Sequence, residues 1–196
     1  PHPCRPTPHK ARGDTSITNI NQHVGNTSDK YIRHNMDKTK KRLLFVCLGN
    51  ICRSPAAEAV MRKMVADAGL ADSYEIDSAG IGDWHTGQLP DRRMRACGAQ
   101  RGYRLDSHAR QIRKDDFTRF DRILVMDSEN YRTITALAPT ASAKQKVEML
   151  VDYCTDHIGA YAVPDPYYGD ESDFNHALDL VEDACRGLLE ATAAHD

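Results

Sequence analysis

Residues 42–55, RLLFVCLGNICRSP, run from a continuous apolar stretch into a short loop and out toward a helix. The unbroken run up to Cys47 suits a strand buried on both faces, as in a sheet covered by helices front and back. Pro55 suits a first helical position, and Ala57, Val60, Met61, Met64, Val65 and Ala68 then recur at helical spacing until Gly69, which is placed to end the helix. Strand, tight loop and helix open a βαβ unit. Within its loop stand a cysteine, a glycine, an arginine and a serine.

The same alternation continues along the chain. YEIDSAG (74–80) reads as a second strand, followed by a loop with the single tryptophan, Trp84, and a helix opening near Pro90. RILVM (122–126) is another buried strand and KVEML (146–150) a weaker one. A last helix from about Ser172 carries Phe174, Ala177, Leu178, Val181, Cys185, Leu188 and Leu189 on one stripe. Right-handed crossovers follow, and with them an α/β fold in three layers, a mostly parallel four-stranded sheet with helices on both faces. Ligands in such folds bind at the carboxyl ends of the strands, where the opening loop lies.

Composition sets the limits. At 196 residues, 40% hydrophobic and 28% charged, the chain is one soluble domain. No stretch is apolar enough to span a bilayer and no secretory core precedes the domain, so the cytoplasm is the expected compartment. The six cysteines are scattered, without CxxC or zinc spacing, which predicts free thiols and no metal site. A net charge of -2 provides no general attraction to nucleic acid or membrane. Residues 1–40 hold seven Lys/Arg against three Asp, a local +4 that leaves -6 for the rest. Rich in proline and histidine and poor in clustered apolar residues, they read as a disordered basic extension, with Met36 a plausible native start, before a domain over 41–196.

The loop after Cys47 has the makings of an anion site. Amides of the turn and of the helix N-terminus point inward, and the planar fork of Arg53 can serve two phosphate oxygens. The GxxxxGK[ST] pattern of nucleotide-binding loops is absent. The same donors favour the thiolate of Cys47 at the base of the cradle.

VCLGNICRSP resembles the active-site loop of the low-molecular-weight protein tyrosine phosphatases. IDSAGIGDWHTGQLPD, LVMDSEN and PDPYYGDESDF follow in that family's order and approximate spacing, so the resemblance extends from about Leu43 to Leu189. It implies hydrolysis of phosphotyrosine in proteins, or of small aryl phosphates, through a phosphocysteine, by a monomer with no metal or other cofactor. By the resemblance Cys47 is the nucleophile, Arg53 holds the phosphoryl oxygens, and Asp165 protonates the leaving group and then activates water. Ser54 donates to the thiolate, Asn50 locks the loop in a left-handed conformation with bonds to neighbours such as Ser78, and Gly49 relieves crowding. Trp84, Tyr167 and Tyr168 wall the substrate ring, with Leu48 and Ile51 as an apolar edge. Cys52 matches a second loop cysteine able to form a reversible disulfide with the nucleophile.

Two roles stay open on the residues alone: Asp127 orients the loop or caps the next helix, and Ser107 stands where many relatives carry a supporting histidine. Two other chemistries fit the fold. A thioredoxin-coupled arsenate reductase needs relay cysteines, for which Cys97 and Cys154 lack a recognisable pattern. A protein arginine phosphatase commonly has threonine at the position of Ile51 and glycines at those of Tyr167 and Tyr168, so this sequence favours a flat aromatic substrate.

Overall fold

The computed structural model describes residues 40–193. Of the extension read over residues 1–40, residues 1–39 lie outside them.

Strand β1 (Lys41–Cys47) leads into helix α1 (Arg53–Asp67) and then β2 (Tyr74–Gly80). Helices α2 (Arg92–Gln100) and α3 (Asp116–Arg119) precede β3 (Arg122–Val125). Helices α4 (Ser128–Leu137) and α5 (Ala141–Lys144) precede β4 (Val147–Met149), and the long α6 (Glu171–Ala193) closes the described chain. The four strands lie in the order β2-β1-β3-β4 and every pairing is parallel, as the alternation of elements predicts.

Because successive strand residues point to opposite faces, β1 feeds two cores. Leu43, Phe45 and Cys47 join Val60 and Met61 of α1 and Phe174, Leu178 and Val181 of α6 on one side. Leu44 and Val46 join Phe117, Phe120, Ile134 and Ala143 on the other. β1 is thus an interior strand with both faces covered, which explains its unbroken apolar run.

Helix α1 begins at Arg53, two residues ahead of the start that Pro55 suggests. Its first backbone bond runs from Ala56 N to Cys52 O at 3.2 Å. The first-turn amides have no helical partner in any case, so a proline among them removes no bond. At the other end Gly69 takes φ 72° while Leu70 N reaches back to Val65 O at 2.7 Å, the stop that the sequence indicates. The short helices α3 and α5 have too few residues to give a periodic signal and are not legible in the sequence.

Candidate active site

Cys47 is the last residue of β1, residues 48–52 make the turn, and Arg53 is the first of α1. Among the described residues, no internal acceptor takes the backbone amides from Leu48 to Ser54, which leaves them for an anion held in the turn. Asn50 adopts φ 56°, the one positive φ of a non-glycine residue among those described. Its side chain makes the bend rigid: Nδ2 donates to Ser54 Oγ and Ser78 Oγ, each at 2.9 Å, and Oδ1 accepts from Arg110 N at 2.9 Å. Ser54 Oγ stands 3.0 Å from Cys47 Sγ and 3.2 Å from Ala79 O, so its one proton can serve either.

A second layer of polar groups lies under this clamp. Ser78 Oγ donates to Glu58 Oε2 at 2.6 Å, and Arg62 meets the other carboxylate oxygen at 2.8 Å. Burial pushes the Glu58 carboxyl above its ordinary range, against the opposing hydrogen bonds of Ser78 and Ser107 and the charge of Arg62. Ser107 lines a small pocket together with Glu58, the carboxylate that accepts from Ser78.

Arg53 is 3% exposed. Nη1 donates to Asp127 Oδ2 at 2.6 Å and to Val163 O at 3.3 Å, and Nη2 donates to Asp165 Oδ2 at 2.8 Å. Burial works against its charge, but Cys47, Asp165 and Asp127 together outweigh that and raise its pKa. Nε is buried without a partner, a donor that a phosphoryl oxygen can take. Asp127 resolves the open alternative by doing both: its other oxygen caps α4 through Asn130 N at 2.7 Å.

These groups open on a cleft of about 450 Å³ lined by Cys47, Leu48, Gly49, Ile51, Cys52, Arg53, Trp84, His85, Asp165, Tyr167 and Tyr168. The structure therefore brings the expected nucleophile, guanidinium, acid and aromatic walls together. Asn50 and Ser54 are buried behind the turn and act on it rather than lining the cleft. Gly49 has its crowding from outside: a Cβ there would meet His85 Cδ2 at 3.0 Å and Trp84 Nε1 at 3.6 Å. Tyr167 and Tyr168 stand edge to face with centroids 5.0 Å apart.

The five described cysteines are free thiols. Cys97 and Cys154 do not line the cleft, so the relay that arsenate reduction requires is not assembled there. Burial, then the charges of Asp91, Cys47 and Asp165, push the Cys52 thiol far up, which favours its protonated form. Three residues escape the sequence reading. His85 follows Trp84 and carries no pattern of its own. Glu58 had a usable signal, a charge among buried alanines on α1. Arg110 acts through its backbone amide, which no side-chain pattern reports.

Comparison with known proteins agrees with this geometry. The family described as "Low molecular weight phosphotyrosine protein phosphatase" matches residues 42–196. A protein of Synechocystis is 51% identical over 148 residues, which is 76% of this chain and 94% of that one. The low molecular weight protein-tyrosine-phosphatase of Streptomyces coelicolor is 47% identical over 151 residues, 76% of this chain and 92% of its own. Among solved structures, a protein tyrosine phosphatase of Entamoeba histolytica with Hepes in its active site superposes with a TM-score of 0.76 at 47% identity, covering 79% of this chain and 98% of that one. The chain belongs to the low molecular weight phosphotyrosine protein phosphatase family.

Proposed function

We propose that this protein tyrosine phosphatase binds the dianion of a phosphotyrosine side chain in the turn over Cys47 and hydrolyses it in two displacements at phosphorus. The observation that carries this reading is the meeting of Cys47, Arg53 and Asp165 in one cleft whose outer walls are aromatic. Loop amides and Arg53 hold the phosphoryl oxygens, and Trp84 and Tyr167 flank the ring.

In the first displacement the Cys47 thiolate attacks phosphorus, the S–P bond forms and the P–O bond to the phenol breaks. The departing phenolate takes its proton from Asp165. In the second, the Asp165 carboxylate removes a proton from water as its oxygen attacks the phosphocysteine; the S–P bond breaks and the electron pair returns to sulfur. Ser54 Oγ, 3.0 Å from Cys47 Sγ, supports that thiolate as leaving group. Arg53 remains charged throughout, held at Nη1 by Asp127.

A phosphotyrosine peptide and a phosphoarginine peptide, given to the wild type and to Cys47→Ser, test the reading. Turnover of the tyrosine ester alone, abolished in the variant, and a phosphorylated Cys47 trapped by acid quench are expected. Turnover that survives Cys47→Ser, or a preference for phosphoarginine, would overturn it.

A further inference from the structure

Arg93, in the first turn of α2, connects the turn that follows Cys47 to the loop that bears Asp165. On the nucleophile side, Asp91 N donates to Ile51 O at 2.7 Å. The Asp91 carboxylate caps α2 through Arg93 N at 2.8 Å and grips the guanidinium, with Nε at 3.1 Å from Oδ1 and Nη2 at 3.0 Å from Oδ2. On the acid side, the same guanidinium donates to Tyr167 O at 2.9 Å and to Gly169 O at 3.4 Å. It also lies over the Phe174 ring at 4.6 Å and the Tyr167 ring at 5.6 Å. Tyr167 N in turn donates to Asp165 Oδ1 at 3.2 Å. One residue, Tyr167, therefore gives its carbonyl to Arg93 and its amide to Asp165.

We propose that Arg93 is a positioning residue that sets the Asp165 carboxyl at the distance from Cys47 that proton transfer to the leaving group requires. The inference rests on the reading of Asp165 as proton donor. A planar fork with five donors can make two bonds to Asp91 and one to each of two carbonyls at once, four bonds where a lysine has three donors. Exposed ion pairs add little to stability, so the loss of Arg93 is felt in the geometry of the acid loop rather than in folding.

The test uses kcat/KM, which reports events up to departure of the phenol, for phenyl phosphate and for para-nitrophenyl phosphate, whose phenol leaves with little need of a proton. Arg93→Met, which keeps length and apolar contact, is expected to lower the value for phenyl phosphate at least about tenfold and that for the nitrophenyl ester less than about threefold. Arg93→Lys should recover only part of the difference, and the thermal midpoint should hardly move. Introduced into Asp165→Asn, Arg93→Met should add less than about threefold, because both changes remove one function. Equal losses for the two esters, or full additivity with Asp165→Asn, would overturn the proposal. If Asp165→Asn by itself lacks the leaving-group dependence, the acid assignment falls first; if it has that dependence and Arg93→Met does not, only Arg93 falls.

Discussion

Arg53 and Asp127 meet at 2.6 Å, Nη1 to Oδ2, while Nη2 of the same guanidinium meets Asp165. Asp127 caps α4 two residues beyond β3, so the pair ties the start of α1 to the segment that follows the neighbouring strand and fixes the direction in which the remaining N–H groups of Arg53 face.

Asp127→Asn keeps a side-chain oxygen for the α4 cap but removes the charge that holds Arg53. Its kcat/KM for a phosphotyrosine peptide is expected to fall about 10²-fold, the usual result of a misplaced binding group. Asp127→Ala should lose the same activity and about 1 kcal/mol of stability with the cap. Wild-type kinetics in the Asn variant would reduce Asp127 to a capping residue.

Asn50 combines a left-handed backbone with a side chain that bonds to Ser54, Ser78 and Arg110. Asn50→Gly retains the backbone freedom and loses the bonds, whereas Asn50→Ala loses both. Each is expected to lower activity about 10²-fold through a loosened turn, and the alanine variant should unfold about 1 kcal/mol more readily than the glycine one. Urea titration and steady-state kinetics check the two effects separately; full activity in Asn50→Gly would mean the side chain does not shape the turn.

Glu58 binds its proton more tightly in the folded protein than in the unfolded chain, because burial raises its carboxyl pKa. Its contribution to stability is therefore present below the ordinary glutamate value of about 4.3. That contribution is lost as pH rises through the raised value. Glu58→Gln stays neutral, so its thermal midpoint should match the wild type near pH ~4 and gain on it toward pH ~7. A difference curve that stays flat across that range would contradict the shift.

Asp183 of α6 is 2% exposed and accepts from the amides of Thr155, Asp156 and His157, from Thr155 Oγ and from the His157 ring. Burial alone would raise its pKa, but these donors outweigh it and hold the carboxylate well below its usual range. The stability it confers is present above the ordinary aspartate value and disappears as pH falls through the folded one. Asp183→Asn should cost about 2–3 kcal/mol at neutral pH, and the gap to wild type should narrow in acid. Unfolding by urea at both pH values decides this, and a gap independent of pH would point to packing instead.

The stretch from β1 through α1 was legible because several local signals coincide there: an apolar run, turn residues and a helical stripe ended by Gly69. The parallel sheet follows from alternation of elements, and YEIDSAG marks β2 at its observed limits, Tyr74–Gly80. Only the resemblance points to Asp165 and the aromatic walls, since an Asp-Pro turn and adjacent tyrosines carry no chemistry of their own. What stayed hidden depends on tertiary contact. The two-sided use of Asp127, the approach of His85 to Gly49 and the bridge through Arg93 all join segments distant in sequence, and no periodicity encodes them.

Cys47 closes an interior strand whose alternate side chains lie in both cores, while Trp84 and Tyr168 stand on exposed loops at the rim. Amide hydrogens of β1 should thus exchange only with global unfolding, and those of the rim segments far sooner. On the proposed function, the chemical centre and the surface that meets its substrates are in this way mutationally separable. Descendants of this sequence can change which phosphoprotein they meet by altering rim residues, with the turn that cleaves the ester left as it is.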